Sequence, residues 1–219
     1  MRLFKKLLIL TGLLLLILSG YVIFNSDTFI EDASTKNGWN LILVDHTNKI
    51  PMHYKTTLQT LKNGKQVDAR IVKDLSDMLI DARNDNIYMQ VSEGYRSMSD
   101  QQSILNQRVD HYKSRGFITI LAKRYALNYV AAPQTSEHEL GLAVDVMGDH
   151  RYTTDESVYD WLSHNAYRYG FIERYPKDKT KLTHMKYEPW HYRYVGKKDA
   201  LKMYEKHYCL EEYIDSLEN

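Results

Sequence analysis

The chain has 219 residues, enough for one substantial hydrophobic core behind an apolar leader. Its 29 Lys and Arg nearly balance 28 Asp and Glu, and no basic stripe with interleaved aromatics stands out, so nucleic acid is not an expected partner. A single cysteine, Cys209, excludes an intramolecular disulfide and a thiolate-built zinc site, which leaves histidine and carboxylates as the available metal ligands.

Met1 to Lys6 carries three basic residues, Leu7 to Phe24 carries no charge, and Asp27, Glu31 and Asp32 follow. This order predicts a single-pass signal anchor with its N-terminus in the cytoplasm and the rest of the chain outside the cell membrane. There is no Ala-x-Ala cleavage signal, and Tyr21 stands where a lipoprotein would need cysteine, so an uncleaved anchor is favoured. The expected division is a cytoplasmic tip and anchor over 1–26, a polar linker over 27–38, and one domain over 39–219.

Within the domain, Asn40 to Asp45 reads as a β run closed by turn-rich residues up to Pro51. Val67, Ile71, Leu75, Met78 and Leu79 have helical spacing over 67–84. Ile87, Met89 and Val91 alternate as in a half-buried strand, which runs into Gly94-Tyr95-Arg96-Ser97. Ser99 or Asp100 is placed to cap a helix to about Tyr112, and a further helix is expected over 119–130, stopped by Pro133. Leu142 to Met147 reads as a strand. Thr154 caps a helix over 155–169 ended by Gly170, Trp190 to Val195 is a last strand, and 197–217 a closing helix. These elements lack regular βαβ spacing, which predicts an α+β fold: helices around a small, largely antiparallel sheet. The 18 tyrosines, many in the last third, suit half-buried packing more than a glycan surface.

Two stretches carry the chemistry, Ser136-Glu137-His138-Glu139-Leu140-Gly141-Leu142-Ala143-Val144-Asp145 and Glu188-Pro189-Trp190-His191. His138 and Asp145 are too far apart for one helix face, but a chain that turns at Gly141 brings them to one ion. Asp145 lies inside an apolar run, where a carboxylate must be paired, hydrogen-bonded or metal-bound. Pro189 stiffens the turn before His191, and Trp190 is placed to wall a site. A catalytic zinc wants three such ligands, an open position for water, and a carboxylate nearby to take a proton. His138, Asp145 and His191 fit the first requirement and Glu188 the last.

The pattern Ser136-x-His138-x-x-Gly141-x-Ala143-x-Asp145 followed by Glu188-x-Trp190-His191 resembles the signature of the VanY-type D-alanyl-D-alanine carboxypeptidases, zinc peptidases related to the L,D-carboxypeptidases. Gly94-Tyr95-Arg96-Ser97 with Gln101, Val67-Asp68-Ala69-Arg70-Ile71 and Leu210-Glu211-Glu212-Tyr213 extend the likeness over roughly 39–214. The resemblance implies one catalytic Zn2+ on His138, Asp145 and His191. It implies Glu188 as the base that later protonates the leaving amine, and Arg96 at either the developing oxyanion or the substrate carboxylate. Gln101, Ser136, Ser97 and Trp190 are the implied substrate contacts. Asp68 and Arg70 are expected to pair with each other.

Gln134 and Glu139 depart from the pattern, where Gly and Gln are common, and Glu139 is expected to add negative charge beside the metal. The implied activity is removal of the last D-Ala from peptidoglycan precursor stems ending in D-Ala-D-Ala, with a link to vancomycin resistance; a monomer is expected. An L,D-carboxypeptidase of tetrapeptide stems, a crosslink endopeptidase and a non-catalytic zinc-stabilised wall-binding module are the alternatives.

Overall fold

Strand-forming residues, buried along nearly the whole of the two central strands, meet in a four-stranded antiparallel sheet that carries both chemical stretches. The computed structural model describes residues 36–218, so the predicted anchor lies outside the described residues. No helix among the described residues is long and apolar enough to cross a membrane. Asn37–Asn219 forms one compact unit.

A short hairpin, β1 (Leu58–Thr60) and β2 (Gln66–Asp68), leads through a 3-10 turn into α1 (Val72–Asn84). Strand β3 (Met89–Glu93) precedes α2 (Met98–Ser114) and α3 (Thr119–Ala126). Then follow β4 (Ala143–Gly148), α4 (Asp155–Asn165), β5 (Phe171–Glu173), β6 (His191–Tyr194), α5 (Lys197–Lys206) and α6 (Leu210–Glu218). The sheet order is β3-β4-β6-β5. Helices with a small antiparallel sheet are the expected α+β class.

The side-chain period of two divides β4 and β6 between two tasks. Val144, Val146, Tyr192 and Tyr194 enter the main apolar cluster with Ile71, Leu75 and Met78 of the α1 region and Val158, Trp161 and Leu162 of α4. Asp145 and His191, directly opposite each other in the register, belong to the alternate set. A second cluster joins Ile172 and Val195 to Ala200, Met203, Leu210 and Tyr213, and a third packs Leu105 of α2 on Ala126 and Val130.

Several element bounds differ from the sequence reading, each for a local reason. Residues 40–45 form no strand, although Ile42 and Val44 are fully buried. The Arg193 guanidinium donates to the Asn40 and Ile42 carbonyls at 3.1 and 2.9 Å and takes the place of a neighbouring strand. The expected helix over 67–84 starts late, because Asp68 ends β2 and its carboxylate accepts the Arg70 N–H. Asp68 pairs with Arg70, as expected, and Arg70 also lies 3.8 Å over the Trp39 ring. Ser97, not Ser99 or Asp100, caps α2, in a reciprocal capping box with Asp100. Helix α3 ends at Ala126, four residues short of the expected stop, and the last turn of the 155–169 segment tightens to 3-10 before Gly170. The closing helix is broken in two at His207, whose φ is +53°.

Gly94 lies where β3 leaves the sheet. A Cβ there would run into the Gln66 backbone carbonyl, the same oxygen that accepts the Tyr95 N–H at 2.6 Å. Gly94→Ala is therefore expected to push the β1–β2 hairpin off this corner and cost about 2–3 kcal/mol of stability, read by denaturant unfolding.

Candidate active site

His138 sits in a 3-10 turn, Glu137–Leu140, closed by Gly141 at φ +73°. That left-handed glycine redirects the chain into β4 and so brings Asp145 back to His138. His191 arrives from a different turn: the His191 N–H donates to the Glu188 carbonyl at 3.1 Å across Pro189 and Trp190, with proline at the position that favours such a turn. His138 Nε2 lies 3.3 Å and His191 Nδ1 3.0 Å from the same oxygen, Asp145 Oδ1. The two rings meet edge to face at 4.8 Å. One donor atom from each of the three residues lies within 4.8 Å of the others, and this is the one such His/carboxylate group among the described residues.

The outer partners of these ligands fit a bound metal. The Nδ1 of His138 lies 2.7 Å from the Gly94 carbonyl, which can only accept, so the proton belongs on Nδ1 and Nε2 presents its lone pair inward. The Nε2 of His191 faces Glu137 Oε2 at 3.4 Å, which assigns that proton to Nε2 and frees Nδ1. Imidazoles held this way, by a carbonyl and by a carboxylate, are oriented and made more basic as ligands. Burial lowers the His138 pKa, while for His191 it is outweighed by Asp145 and Glu137, which push it up to about 9. Burial opposes the charge on Asp145 too, but the two imidazoles hold its carboxyl well below the usual range. With zinc in place of the His191 Nδ1 proton, two imidazole nitrogens and the Asp145 carboxylate would face one point, the donor set of a three-ligand zinc.

Glu188 is nearly buried, and its Oε2 stands 4.0 Å from His191 Nδ1, beside the ligands. Burial raises it to about 7, against the pull of His191. Arg96 donates from Nη2 to Asp145 Oδ2 at 3.0 Å and from Nη1 to Gln101 Oε1 at 3.3 Å. Its Nε is the one fully buried side-chain polar atom among the described residues without a hydrogen-bond partner. That atom stands 3.9 Å from Glu93 Oε2, while Arg96 as a whole lines the cleft, where its permanent charge suits an anionic substrate group.

Around these groups is a cleft of about 360 Å3, lined also by Gln101, Ser136, Tyr175 and the half-exposed Trp190. Gln101 is buried and its amide donates to the Ala131 carbonyl, so its hydrogen bonds run to Arg96 and the chain. Ser97, predicted to contact substrate, is not among the lining residues, and its hydroxyl donates to Asp100 in the helix cap.

The departures at Gln134 and Glu139 meet in space. Gln134 has φ +69°, a conformation suited to the glycine expected there, and its N–H donates to Glu139 Oε1 at 2.8 Å. The Glu139 carboxylate is thus spent on the strained loop and does not line the cleft.

Four charged residues beneath the site were not singled out from the sequence. Glu137 Oε1 accepts from Arg174 Nε at 2.7 Å and Arg193 Nη1 at 2.8 Å, and Arg174 forms a fork with Glu211 at 2.9 and 2.8 Å. Arg174 and Arg193 are fully buried and Glu137 is 1 % exposed. Burial disfavours the Glu137 charge, yet the two guanidinium groups hold it ionised. One signal was available: Arg193 is two residues from His191 on one strand, so both project from the same face. Cys209 is buried, which pushes its thiol up to about 12 and leaves it inert.

A two-imidazole, one-carboxylate centre with a buried acid beside it and a guanidinium in the cleft lining defines a metal-dependent hydrolase site. The VanY family, described as D-alanyl-D-alanine carboxypeptidase, matches residues 64–197. A D-alanyl-D-alanine carboxypeptidase of Enterococcus faecalis (strain ATCC 700802 / V583) is 48% identical over 186 residues, 85% of this chain and 69% of that protein. The vancomycin-resistance D,D-pentapeptidase VanY of a VanB-type cassette, solved with Zn(II), superposes with a TM-score of 0.79 at 48% identity, covering 80% of this chain and 99% of the other. VanYB with D-alanine-D-alanine gives 0.80 at 48% identity, covering 81% and 98%. The chain belongs to the VanY family of D-alanyl-D-alanine carboxypeptidases.

Because Glu137 is the carboxylate that orients His191, Glu137→Gln is expected to weaken zinc binding about 10- to 100-fold in chelator competition. It also unbalances two buried guanidinium groups, so the unfolding free energy should fall by about 3 kcal/mol.

Proposed function

We propose that this chain is a zinc-dependent D,D-carboxypeptidase that removes the terminal D-Ala from peptidoglycan precursor stems ending in D-Ala-D-Ala, outside the cell membrane. The observation that carries the reading is the convergence of His138, Asp145 and His191 on one point with Glu188 beside them. These three residues would hold the zinc, which would supply an acidified water, of pKa about 7, and a Lewis acid for the scissile carbonyl.

The residues of the chain supply the rest. The Glu188 carboxylate takes the proton of the attacking water and returns it to the departing D-Ala amine. Its burial suits both halves of that task, since a carboxyl raised toward neutrality is a usable base and a usable acid. Arg96, held by Asp145 and Gln101 in the lining of the cleft, places its permanent charge toward the developing oxyanion or the terminal carboxylate. Trp190 and Tyr175 wall the cleft against bulk water. Loss of the terminal D-Ala removes the group that glycopeptide antibiotics bind, which supports a resistance role. The uncharged run over 7–24, basic before and acidic after, supports retention at the membrane, where lipid-linked precursors lie.

With a pentapeptide precursor, Glu188→Gln is expected to lower D-alanine release about 10³-fold while the protein still takes up one zinc. A chelator should abolish release in the parent protein and penicillin should not. Hydrolysis of tetrapeptide stems in place of pentapeptides would move the chain to the L,D reading. Zinc uptake with hydrolysis of neither substrate would leave the wall-binding module.

A further inference from the structure

The corner where α2 passes into α3 carries a surface that the cleft does not use. Ile118 is 66 % exposed, Ile120 78 % and Leu121 41 %, and Tyr125 adds a half-exposed ring. Ala122 and Ala126 are the buried positions of α3, so Ile120 lies on the opposite side of the helix. The rings of Tyr112, Phe117 and Tyr125 meet edge to face or tilted at 5.1 to 5.8 Å and give the corner a fixed shape.

The charge around this patch is one-sided. From Arg108 to Tyr129 the basic residues are Arg108, Lys113, Arg115, Lys123 and Arg124, against Asp110 alone, a local excess of four in a chain whose formal total is +1. Asp110 is taken by Lys113 at 3.0 Å. Among the described residues, Arg115, Lys123 and Arg124 form no ion pair. Apolar tips bordered by unpaired basic side chains suit the boundary of an anionic bilayer, where the tips enter the acyl edge and the cations stay at the phosphates. A soluble polyanion would engage the cations and leave Ile120 and Leu121 in water.

We propose that the α2–α3 corner docks on an anionic lipid surface, with Ile118, Ile120 and Leu121 inserted and Lys123 and Arg124 at the phosphate level. Arg108 and Tyr129, which stand 5.3 Å apart, belong both to this corner and to the lining of the cleft. Docking therefore holds the cleft mouth near the bilayer. The benefit of that to catalysis rests on the proposed lipid-linked substrate; the docking itself rests on the surface alone.

Residues 37–219 enclose their own three apolar clusters, so this unit is testable without the leader. Co-sedimentation with phosphatidylglycerol vesicles should exceed that with phosphatidylcholine vesicles and weaken with salt. Ile120→Ser with Leu121→Ser, and separately Lys123→Glu with Arg124→Glu, should each lower partitioning about tenfold or more. Both pairs should leave the melting temperature and the hydrolysis of a soluble pentapeptide unchanged. Equal binding to both vesicle types, or binding indifferent to the Ile120/Leu121 pair, overturns the proposal, the latter in favour of a polyanion. Self-association of the unit that the Ile120/Leu121 pair abolishes overturns it in favour of a second copy. Glu188→Gln should stop hydrolysis and leave vesicle binding intact, so the two readings fail separately.

Discussion

The site depends on one buried carboxylate. Glu137 shares an oxygen between Arg174 and Arg193 and faces His191 with the other, and Arg174 passes its remaining hydrogen bonds to Glu211. Two carboxylates and two guanidinium groups balance in charge, which is what lets them exist out of water. The network joins the 3-10 turn, β5's exit, β6 and α6, pieces distant in sequence. Those pieces carry or support the metal ligands, so ligand geometry and fold stability come from the same contacts.

The division of labour in the sheet follows from the pleat. One face of β4 and β6 supplies valine and tyrosine to the main core, and the other supplies Asp145 and His191. A one-residue slip of register would exchange these faces and lose both at once. Gly94 and Gly141 set the two approaches to this face: the first lets the hairpin close on β3 and offers its carbonyl to His138, the second turns the chain into β4. Arg193 extends the arrangement beyond the sheet by satisfying the carbonyls of a buried segment that has no strand partner.

The chain also shows how a departure from a family pattern can be absorbed. Gln134 occupies a left-handed position without the freedom of glycine, and Glu139, the other departure, accepts its N–H. Read from sequence, Glu139 promised extra charge at the metal. In the structure it braces a loop, because its carboxylate accepts the Gln134 backbone N–H and does not line the cleft.

The sequence by itself determined the α+β class, the candidate ligand set and the Asp68–Arg70 pairing, since these rest on local pattern: an aspartate in an apolar run, a proline-stiffened turn, alternating strands, and charges two residues apart. The bounds of β3, β4, β6 and most helices were legible to within a few residues, but β1, β2 and β5 were not read as strands, the closing helix proved to be two, and the apolar run over 40–45 was buried without pairing. Only the tertiary structure decided which groups satisfy the buried polar atoms. That Ser97 is spent on a helix cap, that Gln101 braces Arg96, and that Glu137, Arg174, Arg193 and Glu211 form one charge network depends on contacts between residues 37 to 56 positions apart in the longest cases. Such pairings leave no periodicity in the chain, because burial and electroneutrality are properties of the assembled interior and not of any one segment.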